Sequence, residues 1–185
     1  MWYVIRTEPG QEEAVWRQVR NRIPGEHWDN CKVLYRACKK RYLGAWHEER
    51  ELFLPGYLFW VEEESADGWK NFCKASDSRE AFRYDGSFFF GAMSPVGKDE
   101  EEFLKKITEG KDEISMSYGV IRNGVLNIFR GAMAGMEDRV TKIDRHKRKG
   151  YIKVWLDEEE RVAEIGLEIT EKTYSMGNVS GVGKN

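Results

Sequence analysis

The sequence predicts an α+β protein in which an antiparallel sheet flanked by helices is followed by a small β-barrel. Three observations carry that expectation. The first hundred residues hold apolar positions at both the two-residue and the helical period. Short β-like runs separated by turn residues then fill the stretch from Tyr118 to Ile165, and the local charge balance differs between these two parts. With 185 residues, 41% of them hydrophobic and 18 more glycine, the chain suits one generous domain or two small ones and has the apolar content for a buried core. Wholesale disorder is excluded.

Taken in order, residues 2–7 are aromatic and β-branched and are broken by Glu8-Pro9-Gly10, the pattern of a strand entering a helix. Residues 11–23 space Val15, Val19 and Ile23 by four, place Glu12 and Glu13 early and Arg17, Arg20 and Arg22 late, and stop at Pro24. Stripe and macrodipole both favour a helix there. Cys31, Val33, Tyr35 and Ala37 alternate with Lys32 and Arg36, the period of a half-wet strand. Residues 39–51 are polar, hold Gly44, Trp46 and His47, and read as a long hairpin or loop. The most apolar run is 52–61: Pro55-Gly56 sets a turn, and large residues on both faces of 57–61 predict a central strand covered on both sides.

Ser65 caps a predicted short helix carrying Trp69, Phe72 and Cys73, and Phe88-Phe89-Phe90 reads as a further strand. Within 94–110, Asp99 to Glu102 precede Phe103, Leu104 and Ile107, an amphipathic helix with an acidic start. Beyond it, runs at 124–129, 139–143, 151–156 and 161–165 carry no helical period, the spacing of a small antiparallel barrel. Residues 176–185 are rich in Gly and Ser and are expected to fray.

The whole-chain charge of −2 conceals a local excess, because nine basic residues face three acidic ones between Tyr118 and Trp155. Within that span Arg145-His146-Lys147-Arg148-Lys149, with Arg139 and Lys142 upstream, crowds cations that repel one another. An anion to face relieves that repulsion, and phosphate backbones are the commonest extended anion. An RNA hairpin fits well, since helical RNA is recognised through phosphate, 2′-OH and shape while its loop is read separately. The competing reading is a solvated turn between two barrel strands. Lys32, Arg36, Lys39, Lys40 and Arg41 form a second, weaker basic face, explained equally well by nucleic-acid contact or by a wet strand.

No apolar run approaches the ~18 residues of a spanning helix, and Met1-Trp2-Tyr3-Val4-Ile5-Arg6 lacks the basic-then-apolar order of a signal peptide. A soluble cytoplasmic protein is expected. Cys31, Cys38 and Cys73 are odd in number and suit reduced thiols. A Cys31/Cys38/His47 metal site has no CxxC or HxxxH spacing behind it and competes with buried thiols. His27, His47 and His146 stand apart, Glu48-Glu49 and Glu62-Glu63-Glu64 read as solvated runs, and no GxSxG, P-loop, HExxH or GxGxxG occurs. Neither enzymatic activity nor a cofactor is expected.

The element order, the Trp2-Tyr3-Val4 start, the Leu54-Pro55-Gly56-Tyr57 strand entry, and Asn123-Gly124 followed by Phe129-Arg130-Gly131-Ala132-Met133-Ala134-Gly135 together resemble the NusG family of transcription elongation factors over nearly the whole chain. The resemblance implies an N-terminal NGN domain (1–108), a linker (109–117), a small SH3-like KOW β-barrel (118–175) and a flexible tail (176–185). Residues 140–149 look like the specialised paralogs called LoaP, processive antiterminators of long biosynthetic operons. Two departures stand out: Gly131-Ala132-Met133 replaces the usual Gly-Pro-Leu or Gly-Pro-Phe, and Leu54 replaces an aromatic residue.

By that resemblance Trp2, Leu54 and Tyr57 contact the clamp helices of RNA polymerase, against the alternative that they fill the core. Arg139, Lys142, Arg145, His146, Lys147, Arg148 and Lys149 face nascent RNA, a hairpin by preference, while the first domain's basic face either touches upstream DNA or RNA or is a wet strand face. A monomer with no membrane partner is implied. The function implied is antitermination, in which the first domain holds elongating polymerase in a pause-resistant state and the basic barrel recruits the factor through RNA. Two rivals remain: a general elongation factor whose barrel binds a ribosomal or termination protein, and a stand-alone RNA-binding module.

Overall fold

The fold was obtained as a computed structural model and is described for residues 1–22, 30–62 and 93–173. The helix expected from Ser65, the strand expected at 88–90 and the tail at 176–185 lie outside those residues. The described elements run β1 (Trp2–Arg6), α1 (Glu12–Arg22), β2 (Cys31–Lys32), β3 (Tyr35–Tyr42), β4 (Ala45–Leu52), β5 (Tyr57–Val61) and β6 (Met93–Pro95). They continue with α2 (Lys98–Thr108), β7 (Glu113–Ile114), β8 (Ser117–Arg122), β9 (Val125–Arg130), β10 (Val140–Asp144), β11 (Lys149–Leu156) and β12 (Glu159–Thr173). The class is mixed α+β, mostly sheet.

The first sheet has the order β2-β5-β1-β6 and is antiparallel throughout. Alternation along its two inner strands decides what covers each face. Trp2, Val4, Tyr57 and Phe59 point into the large core, whereas Ile5, Leu58 and Trp60 point to the other side, where Val15 of α1 and Val33 cover them. The two-sided burial expected of residues 57–61 is therefore present. Glu12, itself buried, joins helix to turn: its carboxylate oxygens accept the Gly56 N–H at 2.6 Å and the Gly10 N–H at 2.8 Å.

The single strand expected at 31–37 is two strands in two sheets. The two-residue alternation continues through Val33 and Leu34, which are buried in opposite clusters, but the pairing does not: Cys31 and Lys32 pair with β5, and from Tyr35 the chain pairs with β4 and β7 in a second sheet of order β4-β3-β7. In that sheet the polar stretch forms a hairpin whose turn residues Leu43 and Gly44 both have positive φ (50° and 78°), the geometry that matches the twist of paired strands.

Residues 109–117, expected as a linker, instead carry β7, which pairs in parallel with β3, and the start of β8. The physical reason is apolar: Ile114 and Met116 are buried, so the segment cannot leave the core. The preceding helix α2 buries Phe103, Leu104 and Ile107, as its periodicity predicts.

The third sheet runs β10-β11-β12-β8-β9, antiparallel except for the parallel pair β12–β8. That pair modifies the antiparallel expectation. It arises because β12 is 15 residues long and changes partner along its length, from β11 over its first half to β8 from Leu167 onward. Gly131 lies at φ +99°, and a Cβ there would overlap the Met116 carbonyl oxygen, so only glycine fits. The same loop is fixed by Ser117 Oγ, which accepts the Met133 N–H at 3.0 Å in a buried setting. Trp2, Phe59 and Phe103 from the first half and Met133, Ile152, Leu156 and Leu167 from the second belong to one continuous core.

Candidate nucleic-acid interface

Strand β3 carries Arg36, Lys39, Lys40 and Arg41, and its hairpin partner β4 carries Trp46 and Glu51. Across from them, the turn between β10 and β11 carries His146 and Lys147, with Lys149 at the start of β11. These residues line one open cleft of about 380 Å³. The two basic clusters, far apart in sequence, are thus brought to the walls of a single concavity whose lining holds six cations and one acid. Low-dielectric walls carrying one sign of charge focus the field and concentrate counter-ions.

The approach of the hairpin to the sheet is close. Gly166 of β12 passes the Ala37 carbonyl so tightly that a Cβ would overlap it. Acids of β12 anchor the deeper cations. Arg36 is buried and joins Glu51 to Glu164, at 2.7 Å from the latter, while Glu164 also accepts two contacts of 2.8 Å from Lys149. Glu168 pairs with Lys39 at 2.9 Å and with Arg148 at 3.1 Å, and the Arg148 guanidinium lies 3.9 Å from the Trp46 ring centroid. The hydrogen bond to Glu168 raises the Lys39 pKa despite burial, and the bond to Glu51 raises that of Lys40. Burial lowers the Lys149 value, but Glu164 more than offsets it. All three stay charged at neutral pH.

The rim is different. Arg41 on the hairpin and Arg145, His146 and Lys147 on the turn are exposed, and Arg41, Arg145 and Lys147 have no ion pair among the described residues. The turn is fixed by its own backbone: the Lys147 N–H donates to Asp144 Oδ1 at 3.0 Å, the Arg148 N–H to the Arg145 carbonyl at 3.3 Å, and Arg148 adopts φ 51°.

Sequence reasoning grouped seven residues here, and the fold divides them. His146, Lys147 and Lys149 line the cleft. Arg145 is exposed beside it, and Arg148 stacks behind Trp46. Lys142 is exposed on β10 with its Nζ 5.4 Å from the Tyr151 ring centroid and does not line the cleft. Arg139 lies elsewhere, bound to Glu100 of α2 at 2.6 Å and stacked 4.7 Å from Phe103, so it holds the two halves together. Lys32 pairs with Asp112 at 3.0 Å and is likewise outside. Trp46 also lines the cleft, and its signal in the sequence is the adjacency of an aromatic residue to Lys39-Lys40-Arg41 across the hairpin.

Trp2, Leu54 and Tyr57 are 5%, 5% and 7% exposed. The Trp2 ring meets Phe59 edge-on at 5.9 Å, and its backbone N–H donates to Glu101 Oε2 at 3.1 Å. The Arg161 guanidinium of β12 lies 5.8 Å from the Tyr57 ring centroid. In this arrangement all three are core residues with no surface to offer. Trp2 Nε1 is buried with no hydrogen-bond partner among the described residues.

Cys31 is buried, which pushes its thiol up to about 12, and burial together with Glu51 raises Cys38, so both stay protonated at neutral pH. Cys31 lies under α1 and Cys38 on β3, and among the described residues no three metal-ligating side chains gather. Among them, too, no helix is long and apolar enough to cross a membrane. No protein-family model matches the chain, and no curated protein matches it significantly.

Proposed function

We propose that the chain is a transcription antitermination factor of the NusG kind, an NGN-like domain joined to a KOW-type barrel, recruited to RNA polymerase by nascent RNA held at the basic cleft. The observation that carries this reading is the convergence of two basic clusters on one cleft whose rim cations lack acidic partners among the described residues. Such cations are held close to one another only at electrostatic cost, which a phosphate backbone relieves. The reading needs no cofactor and no catalytic group, only preferential binding to the elongating state of the polymerase.

Contact with the clamp helices through Trp2, Leu54 and Tyr57 requires them to be uncovered. The edge that would lift carries Arg161 and Asp157, the latter joined to Arg6 and, at 2.6 Å, to Ser94. The lone buried Trp2 Nε1 favours this step, because an unsatisfied buried donor costs about 1–3 kcal/mol that exposure to water or a partner recovers. The test is capture of the protein on purified polymerase stalled with and without its nascent leader RNA. RNA-dependent capture supports the reading, and equal capture without RNA contradicts it.

One observation favours the general elongation factor as a second reading. Trp155 and Val162, diagonal neighbours on β11 and β12, are 55% and 64% exposed, an apolar pair on the barrel exterior. A protein-binding barrel would use them, and Trp155→Ala would then abolish capture of a ribosomal or termination protein while leaving RNA affinity unchanged.

A further inference from the structure

We infer that the RNA site is composite: the β3–β4 hairpin of the first half supplies one wall, and its ligand is an unpaired nucleotide of the RNA rather than the helical stem. This rests on the RNA-binding reading above and goes beyond it by assigning recognition to residues outside the barrel. Three features argue for it. First, the cleft, at about 380 Å³, falls in the size range of pockets for small ligands, about 300–1,000 Å³, so it takes a unit of that size, whereas a duplex lies across a surface. Second, the lining mixes cations with an aromatic face. Arg41 and Lys147 stand on opposite walls as phosphate partners, while Trp46, backed by Arg148 at 3.9 Å, and His146 offer planes on which a splayed base can stack.

The third feature is Glu51. A carboxylate in an anion-binding cleft repels phosphate, but its lone pairs accept hydroxyl hydrogens, and two oxygens provide about four such sites. Lys40 and Arg36 occupy part of that capacity, lower the group's pKa against the opposing push of burial, and fix it in place. A ribose 2′-OH donating to it distinguishes RNA from DNA. Because the two walls belong to different halves of the chain, the site exists only while the halves are together, so RNA capture precedes polymerase docking.

The test uses the full chain and three fluorescent probes: a stem-loop RNA with an unpaired loop, the matching fully paired RNA, and single-stranded DNA of the loop sequence, each titrated across a salt series. Arg41→Ala and Lys147→Ala are each expected to flatten the stem-loop salt slope by about 0.7, one phosphate contact apiece. Trp46→Ala is expected to weaken stem-loop binding about 5- to 150-fold without changing the slope, to leave paired RNA unaffected, and to be largely rescued by Trp46→Phe. The DNA strand is expected to bind more weakly than the stem-loop. If Lys147→Ala flattens the slope but Arg41→Ala and Trp46→Ala change nothing, the composite site is overturned and barrel-only RNA binding stands. If none of the three variants alters binding, both readings fall. DNA binding equal to RNA binding overturns the assignment of Glu51 and of an RNA-specific ligand.

Discussion

The sheet β2-β5-β1-β6 and the hairpin β3–β4 are built from one stretch of chain and end in opposite environments. Four of the five β5 residues are buried, whereas every β4 residue is exposed or half-buried. The sheet is held chiefly by apolar area, and in this arrangement its aromatic residues Trp2 and Tyr57 are covered. The hairpin is held by acids that reach it from β12, and once Glu164 and Glu168 have paired with Arg36 and Lys39, the cation nearer its tip, Arg41, is left over. Residues that look like binding anchors in sequence become core when an apolar face closes over them, and residues that look like a solvated charge run become a site when the fold spends only part of their charge.

The comparison breaks most visibly on the sheet side. Trp2→Ala and Tyr57→Ala each delete a buried aromatic ring and are expected to cost about 3–5 kcal/mol in urea unfolding, with association to polymerase lost as a consequence of lost structure. Retained stability with lost polymerase binding would instead identify the pair as surface anchors. A smaller effect is expected at the junction of the two regions. Arg36→Met leaves Glu51 and Glu164, both about one-third exposed, without their shared partner, for about 2–3 kcal/mol by the same measurement. Gly166→Ala forces β12 away from Ala37 at about 1–3 kcal/mol, and a crystal structure of that variant should show the hairpin displaced from the third sheet.

Acid should loosen both regions gently. Hydrogen bonding from Lys40 and the charge of Arg36 hold Glu51 low against the upward push of burial, and the Ile128 backbone N–H does the same for Glu137. Burial pushes Glu101 up, but Lys105, the Trp2 N–H and the chain N-terminus outweigh it. With folded-state values below unfolded ones, the unfolded chain binds more protons in acid. These groups therefore contribute stability that is complete above the ordinary glutamate value of about 4.3 and is lost as pH falls through their lower folded-state values. The urea midpoint is expected to fall between neutral pH and about pH 3, and a flat profile would mean these contacts contribute nothing. At the opposite extreme, Arg41→Ala is expected to shift stability by less than about 0.5 kcal/mol, since the side chain is exposed and has no ion pair among the described residues.

Much of this architecture is legible in the residues. The 3.6-residue stripe of Phe103, Leu104 and Ile107 fixes α2, the two-faced run at 57–61 fixes a central strand, and turn residues such as Asn123-Gly124 mark the hairpins of the third sheet. What periodicity does not contain is partner choice. The shift from β2 to β3 is a change of partner, from β5 to β4 and β7, with the alternation of buried residues unbroken, and the parallel pairing of β12 with β8 depends on contacts 50 residues apart, such as Leu167 with Ser117. The site was legible as two basic clusters but not as one cleft, because the acids that sort its cations, Glu164 and Glu168, lie more than 120 residues from the hairpin they hold.

The central claim is that the rim cations left unpaired by that sorting take a phosphate backbone. The measurement that reaches it most directly is the salt dependence of RNA affinity for the full chain and for the double variant Arg145→Ala/Lys147→Ala. Each direct phosphate contact contributes about 0.7 to the slope of log affinity against log salt for single strands, so the double variant is expected to lose about 1.4 with its thermal midpoint unchanged. Identical slopes in the two proteins would contradict the account and return these residues to an ordinary solvated turn.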